Sequence, residues 1–141
     1  MTSPSHIIIS QVSVTRLPVV TVLSTGNEIQ EPGTELAPGH VRDSNKTTLM
    51  SLLRSAGGIQ ARDGGIAKDD LATLTSSLGA ALEASELVVT TGGVSMGDRD
   101  LLRQVLVDEF GAKIHFARVN MKVIPVSDWS ILLILASDWS T

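Results

Sequence analysis

Leu87-Val88-Val89-Thr90-Thr91-Gly92-Gly93-Val94-Ser95-Met96-Gly97-Asp98-Arg99-Asp100 is the stretch that decides the fold. It opens on a short β-branched run of the kind that forms a buried strand. The apolar spacing of Leu101-Leu102-Arg103-Gln104-Val105-Leu106, immediately after it, is that of a helix. Between strand and helix the glycines leave backbone N–H groups uncovered beside the positive end of a helix dipole, which suits a phosphate or another oxyanion. Two acids, Asp98 and Asp100, close the turn, and acids beside a bound phosphate usually hold a divalent cation. The same residues also read as a tight βα turn in which Asp98 or Asp100 is the helix N-cap.

Upstream, Val19-Val20-Thr21-Val22-Leu23-Ser24-Thr25 predicts a strand stopped by Gly26. Residues 30–40 hold Pro32, Gly33, Pro38 and Gly39, which is loop chemistry. A helix is expected next, with Asp43 or Ser44 as N-cap, Leu49, Leu52, Leu53 and Ala56 at helical spacing, and Gly57-Gly58 as the stop. Ile59 to Ile66 reads as a weaker strand, interrupted by Gly64-Gly65. Asp69 is expected to cap a second helix, whose Leu71, Leu74, Leu78, Ala81 and Leu82 share a face. After the strand at 87–90 and a third helix over about 99–110, Lys113-Ile114-His115-Phe116-Ala117-Arg118-Val119 reads as a last strand. Helical crossovers between strands predict an α/β fold: a three-layer sandwich, its sheet mostly parallel, with helices on both faces. Ligands of such sheets sit beyond the carboxyl ends of the strands, at the switch in strand order.

At 141 residues the chain fits one domain. Hydrophobic residues make up 43% and aromatics only 3%, a mix that suits α/β layers. The net charge is −4 and the 11 basic residues are scattered, so no footprint for nucleic acid is visible. Without cysteine there are no disulfides or thiolate metal sites. His6, His40 and His115 lack metal-ligand spacing. The N-terminus shows no secretory pattern, which makes the cytoplasm the expected compartment. The apolar run Ile131–Ala136 is far shorter than the roughly 20 residues that span a bilayer, so no membrane insertion is expected. It lies between two copies of Ser-Asp-Trp-Ser, at 127–130 and 137–140, and reads either as a buried edge strand or as an exposed segment that promotes association.

Three polar clusters fall at the strand ends that this topology would gather. Thr25-Gly26-Asn27-Glu28 ends the first strand, Asp69-Asp70 follows the second, and the loop 92–100 follows the third. A parallel sheet would put Glu28, Asp69 and Asp100 on one rim, around a groove floored by glycine amides. Carboxylates around an anion site repel one another unless a cation lies between them, and Mg²⁺ is the economical explanation. Taken singly, Asp69 reads as a helix cap and Glu28 as a solvated loop residue. Arg42, beside Asp43-Ser44-Asn45, and the pair Arg118 and Lys122 could each hold an oxyanion or be surface charges.

Leu23-Ser24-Thr25-Gly26-Asn27-Glu28, Arg42-Asp43-Ser44-Asn45, Gly65-Ile66-Ala67-Lys68-Asp69-Asp70 and Thr91-Gly92-Gly93-Val94-Ser95-Met96-Gly97 together resemble one family. It is the molybdopterin molybdotransferase family, the molybdenum-insertion enzymes of molybdenum cofactor synthesis, which includes the E domain of gephyrin. The similarity runs from about Pro18 to Lys122. It implies adenylylated molybdopterin and molybdate as substrates, Mg²⁺ as cofactor, and release of AMP. It also implies Glu28, Asp69 and Asp100 as acidic catalytic and metal-holding residues, with Lys122, and Arg118 in place of a common family lysine, as basic ones. Thr25, Gly26, Asn27, Arg42, Ser44, Gly92, Gly93, Ser95 and Gly97 are the implied contacts to the pterin nucleotide.

The resemblance divides the chain into an N-terminal extension or linker remnant (1–17), the molybdopterin-binding domain (18–122) and an atypical tail (123–141). After Met121-Lys122 the family pattern gives way to Val123-Ile124-Pro125-Val126, and the family's Leu-Pro-Gly-Asn-Pro loop is missing. The family's large N-terminal lobes and small C-terminal β domain have no counterpart either. The expectation is a shortened central domain, weakly active or inactive alone, that forms a homo-oligomer or associates with full-length enzyme. Two further readings remain: a molybdopterin adenylyltransferase, which has the same fold, and a non-catalytic scaffold or assembly module of gephyrin type.

Overall fold

Three valines and two threonines dominate β1 (Val19–Thr25), and six of its seven residues are buried because the strand lies inside the sheet rather than at its edge. The structure, a computed structural model, describes residues 11–92, 101–115 and 131–135. β1 is followed by β2 (Ile29–Gln30), β3 (Val41–Arg42), α1 (Ser44–Ser55), β4 (Gln60–Ala67), α2 (Leu71–Ala84), β5 (Leu87–Thr91), α3 (Leu101–Asp108) and β6 (Ile131–Leu135). The main sheet has the order β4-β1-β5-β6. β4 and β5 flank β1 in parallel, and β6 joins β5 antiparallel, so the sheet is mostly parallel as expected.

The chain leaves β1 through α1 to reach β4 on one side, then returns through α2 to β5 on the other. Right-handed crossovers running in opposite directions put the two helices on opposite faces. Leu23, Ala67 and Val88 pack with Leu74, Leu78 and Ala81 of α2 and with Leu102, Val105 and Leu106 of α3. Val20, Val22 and Val89 alternate to the other face, and α1 packs on β4 and β1. That gives the three expected layers. At the opposite end of the sheet, Val19 N donates to Glu86 Oε2 (2.6 Å), and Arg16 ion-pairs with the same carboxylate.

The structure decides one local alternative and corrects several other expectations. α1 is capped by Asp43, whose Oδ1 accepts from Lys46 N at 3.1 Å. Its buried residues are Lys46 and Met50; of the four residues expected at helical spacing, Leu49 and Leu53 are half-buried, Ala56 is exposed and Leu52 is 60% exposed. α2 is capped by Asp70, not Asp69, because Asp70 has the extended backbone (φ −130, ψ 150) that turns its carboxylate onto Thr73 N, 2.8 Å away. Leu71, expected on the buried face of α2, is 49% exposed. Residues 111–115 belong to no strand, and the rest of the expected strand at 113–119 lies outside the described residues. Two short strands that the sequence did not announce, β2 and β3, pair in parallel and close the proline- and glycine-rich loop. The Gly64-Gly65 interruption is a bulge: Val22 pairs Asp63 while Ser24 pairs Ile66, so β4 carries one extra residue, with Gly65 at φ 78. No helix among the described residues is long and apolar enough to cross a membrane.

Candidate functional site

β1, β4 and β5 run parallel, with Thr25 beside Ala67 and Ser24 beside Thr91. Their following loops therefore leave from one end of the sheet. β1 sits where the strand order reverses, since its loop leads to a helix on one face while the loop after β5 leads to α3 on the other. This is where open α/β sheets receive ligands.

The loops meet closely there. Gly92 (φ 86) lies so near β1 that a methyl on it would stand 2.4 Å from the Thr25 carbonyl oxygen and 3.2 Å from Thr25 Oγ1. Thr25 Oγ1 in turn donates to the Thr91 carbonyl at 3.4 Å. One layer deeper, the hydroxyls of Ser24 and Thr91 are 3.1 Å apart. Gly26 (φ 144) carries the turn, and the Glu28 carboxylate folds back over it, both oxygens 2.9 Å from where a Cβ would be. Asn27 reaches to the neighbouring loop, its Oδ1 accepting from Asp69 N at 3.2 Å.

Thr25, Gly26, Asn27, Glu28, Asp69 and Gly92 thus lie together at one end of the sheet. Because Asp70 takes the capping role, the Asp69 side chain is not committed to α2. The bond from the Thr73 amide to the Asp70 carboxylate holds Asp70 below the usual carboxylate range. The idea of a floor of glycine amides needs amendment at Gly26, whose N–H donates to the Ala67 carbonyl at 3.1 Å and faces no ligand. Its role in the rim is close approach without a side chain.

Arg42, expected among the basic contacts, is exposed at the end of β3. Its guanidinium donates to the Glu31 carbonyl (3.0 Å) and to Thr34 Oγ1 (3.3 Å), fastening the 31–40 loop. Ser44 is exposed in the first turn of α1, and its carbonyl accepts from Thr48. Gly93, Ser95, Gly97, Asp98, Asp100, Arg118 and Lys122 lie outside the described residues. Among the described residues no group of three His, Cys, Asp or Glu side chains gathers to hold a metal ion. Asp100, the third member of the expected set, is not among them.

Two features escaped the sequence reading. The Ser24–Thr91 hydroxyl pair was signalled only by polar residues closing two apolar strands. The other is a groove beside α1, lined by Glu31, Pro32, Lys46, Met50, Arg54 and Asp63 among others, with Lys46 buried in its wall.

Fold and rim define the class: an open α/β domain whose central strand, at the switch in strand order, carries a glycine-lined edge with acids from two loops. Residues 21–133 match the family described as a probable molybdopterin binding domain, and the chain belongs to that family. The matched residues continue past Lys122 into β6. The chain is 38% identical over 112 residues to a molybdopterin molybdenumtransferase of Nostoc sp., covering 79% of this chain and 25% of that protein. It is 36% identical over 118 residues to gephyrin of Dictyostelium discoideum, covering 76% and 16%. Similarity to the molybdenum cofactor synthesis protein cinnamon of Drosophila melanogaster is 38% over 105 residues, covering 74% and 17%. The solved molybdopterin biosynthesis MoeA protein of Pyrococcus horikosii superposes with a TM-score of 0.58 at 36% identity, over 66% of this chain and 22% of that one. The chain therefore spans about a quarter or less of the length of these relatives.

Proposed function

We propose that this domain binds adenylylated molybdopterin at the rim formed after β1, β4 and β5, and serves the insertion of molybdate into it with release of AMP. The observation that carries the reading is the approach of Gly92 to Thr25 at the strand-order switch, with Glu28 and Asp69 on either side of Asn27. The relatives named as molybdenumtransferases and molybdenum cofactor synthesis proteins support it.

In this reading Gly26 and Gly92 let the Glu28 carboxylate and the loop after β5 close against β1, which shapes the rim that receives the nucleotide. Asn27 keeps the loop of Asp69 at a set distance from that of Glu28. Glu28 and Asp69, with Asp100, would hold Mg²⁺. Carboxylate oxygens are the donors this ion prefers, and neither the Glu28 nor the Asp69 carboxylate takes a hydrogen bond or ion pair among the described residues. When bound, the ion neutralises charge on the phosphate. Arg118 and Lys122 would supply positive charge for the molybdate oxyanion. The pterin nucleotide is the partner this reading requires, the cytoplasm its compartment, and a homo-oligomer or a complex with full-length enzyme its assembly.

Calorimetry with AMP, with and without Mg²⁺, tests the reading on the whole chain and on Glu28→Gln and Asp100→Ala. Mg²⁺-dependent binding that weakens in both variants is expected. A folded wild-type chain that takes up no AMP in either condition overturns it.

A further inference from the structure

Lys46 lies on the buried side of α1 with 3% of its side chain exposed. Its ammonium is 2.5 Å from Glu31 Oε1, 3.0 Å from Asp63 Oδ1 and 3.7 Å from Asp43 Oδ2. The three carboxylates come from three places: the loop after β2, the cap of α1, and β4 just before its bulge. Burial works against the charge of Lys46, but hydrogen bonds and attraction from Glu31 and Asp63 outweigh it and raise the pKa above the ordinary lysine value. Asp43 Oδ2 is buried without a hydrogen bond, and Lys46 is the cation facing it among the described residues.

The segment this cluster grips is the one that leads out of the candidate site. Glu28 to Glu31 is tied to the lead-in of α1 by two backbone bonds, Val41 N to Glu28 O (2.8 Å) and Asp43 N to Gln30 O (3.0 Å). A ladder of two residues per strand is too short to hold itself in water. The Lys46–Glu31 pair adds a third tie at the end of that segment. The same ammonium reaches Asp63, on the strand that runs on to Ala67 and the loop of Asp69.

We propose that Lys46 is a positioning residue for the rim: by clamping Glu31 and Asp63 it holds the Glu28–Glu31 segment against the start of α1, and so sets where the Glu28 carboxylate stands. The functional meaning rests on the reading of the rim given above. The clamp itself concerns the segment and is read separately.

Amide hydrogen exchange on the whole chain, compared with Lys46→Met, reads the clamp. The Val41 and Asp43 amides should accelerate about tenfold more than those of Leu78 and Val88 in the core, and Lys46→Arg should restore most of the protection. Acceleration by one common factor at all four amides overturns the clamp, because it marks a loss of global stability alone. Glu31→Gln, which removes a half-exposed partner and leaves Lys46 with Asp63, gives the same comparison if Lys46→Met does not fold. AMP affinity in the presence of Mg²⁺, measured on the same proteins, should fall several-fold in Lys46→Met and recover in Lys46→Arg. Unchanged affinity in a Lys46→Met chain whose wild type binds AMP overturns the positioning role. A localised exchange effect in a wild type that binds no AMP overturns the functional reading of the rim and leaves the clamp standing.

Discussion

Replacing Gly92 by alanine puts the rim geometry to a quantitative test. A Cβ there would stand 2.4 Å from the Thr25 carbonyl oxygen, while ordinary van der Waals contact begins near 3.4 Å, so backbone must move by about 1 Å. No rotamer change relieves this, because both atoms belong to or adjoin the main chain. Alanine at φ 86 also carries the left-handed backbone penalty, about 1–2 kcal/mol. Forcing extra volume into a packed site costs a further ~1–3 kcal/mol. Gly57→Ala separates the two, since Gly57 has φ 93 and nothing within 4 Å of its added Cβ. It should lose only the backbone part. Urea unfolding followed by far-UV circular dichroism, extrapolated linearly to water, should place Gly92→Ala about 1–3 kcal/mol below Gly57→Ala. Equal losses in the two variants would mean that the loop after β5 does not press on Thr25, and the rim as described would be wrong. AMP binding offers a second readout, expected to weaken in Gly92→Ala and to persist in Gly57→Ala.

Leu78→Ala, in the core between sheet and α2, should cost about 2–5 kcal/mol in the same unfolding assay. Burial works against ionised Asp63, yet the Gly65 amide and the Lys46 ammonium hold its carboxyl below the usual carboxylate range. A depressed carboxylate adds stability that is complete above its unfolded value and is lost as pH falls through the folded one. Urea midpoints of the wild type should therefore drop more than those of Asp63→Asn between about pH 5 and pH 3, and parallel curves would refute the Lys46–Asp63 pairing. Asn27→Ala removes the acceptor for Asp69 N and should weaken Mg²⁺-dependent AMP binding without shifting the far-UV spectrum; tight binding in that variant would show that the two loops need no tie.

What the sequence disclosed, and what it withheld, divides by range. β1 was legible because valine and threonine fill five of its seven positions, and the end of α1 because Gly57 and Gly58 both take positive φ. The gathering of Glu28, Asp69 and Gly92 was legible from topology alone, since parallel strands must release their loops at one end. Lys46 was not legible. A lysine in a polar stretch of helix looks solvated, and its partners lie 15 residues before it, 3 before it and 17 after it. The choice between Asp69 and Asp70 as cap turned on a backbone angle that two adjacent acids do not reveal. β2 and β3 were too short for any periodicity. The expected strand at 113–119 rested on partial alternation, and its described part, Lys113 to His115, stays irregular.

The bulge in β4 acts on the chain as a change of parity. Before it, Arg62 stands beside Thr21, so even-numbered residues of β4 share the face of Leu23; after it, Ala67 stands beside Thr25, and odd-numbered ones do. By taking one extra residue out of register, the bulge keeps Ala67 turned toward Leu74 and Leu78, and it sets the phase in which the chain enters Lys68, Asp69 and Asp70. Deleting one of Gly64 and Gly65 should therefore leave a regular strand with Ala67 still beside Thr25, whereas removal of both would turn every later side chain of β4 to the opposite face. The bulge is thus a place where the length of β4 can change by one residue, but not by two, without exchanging the strand's two faces.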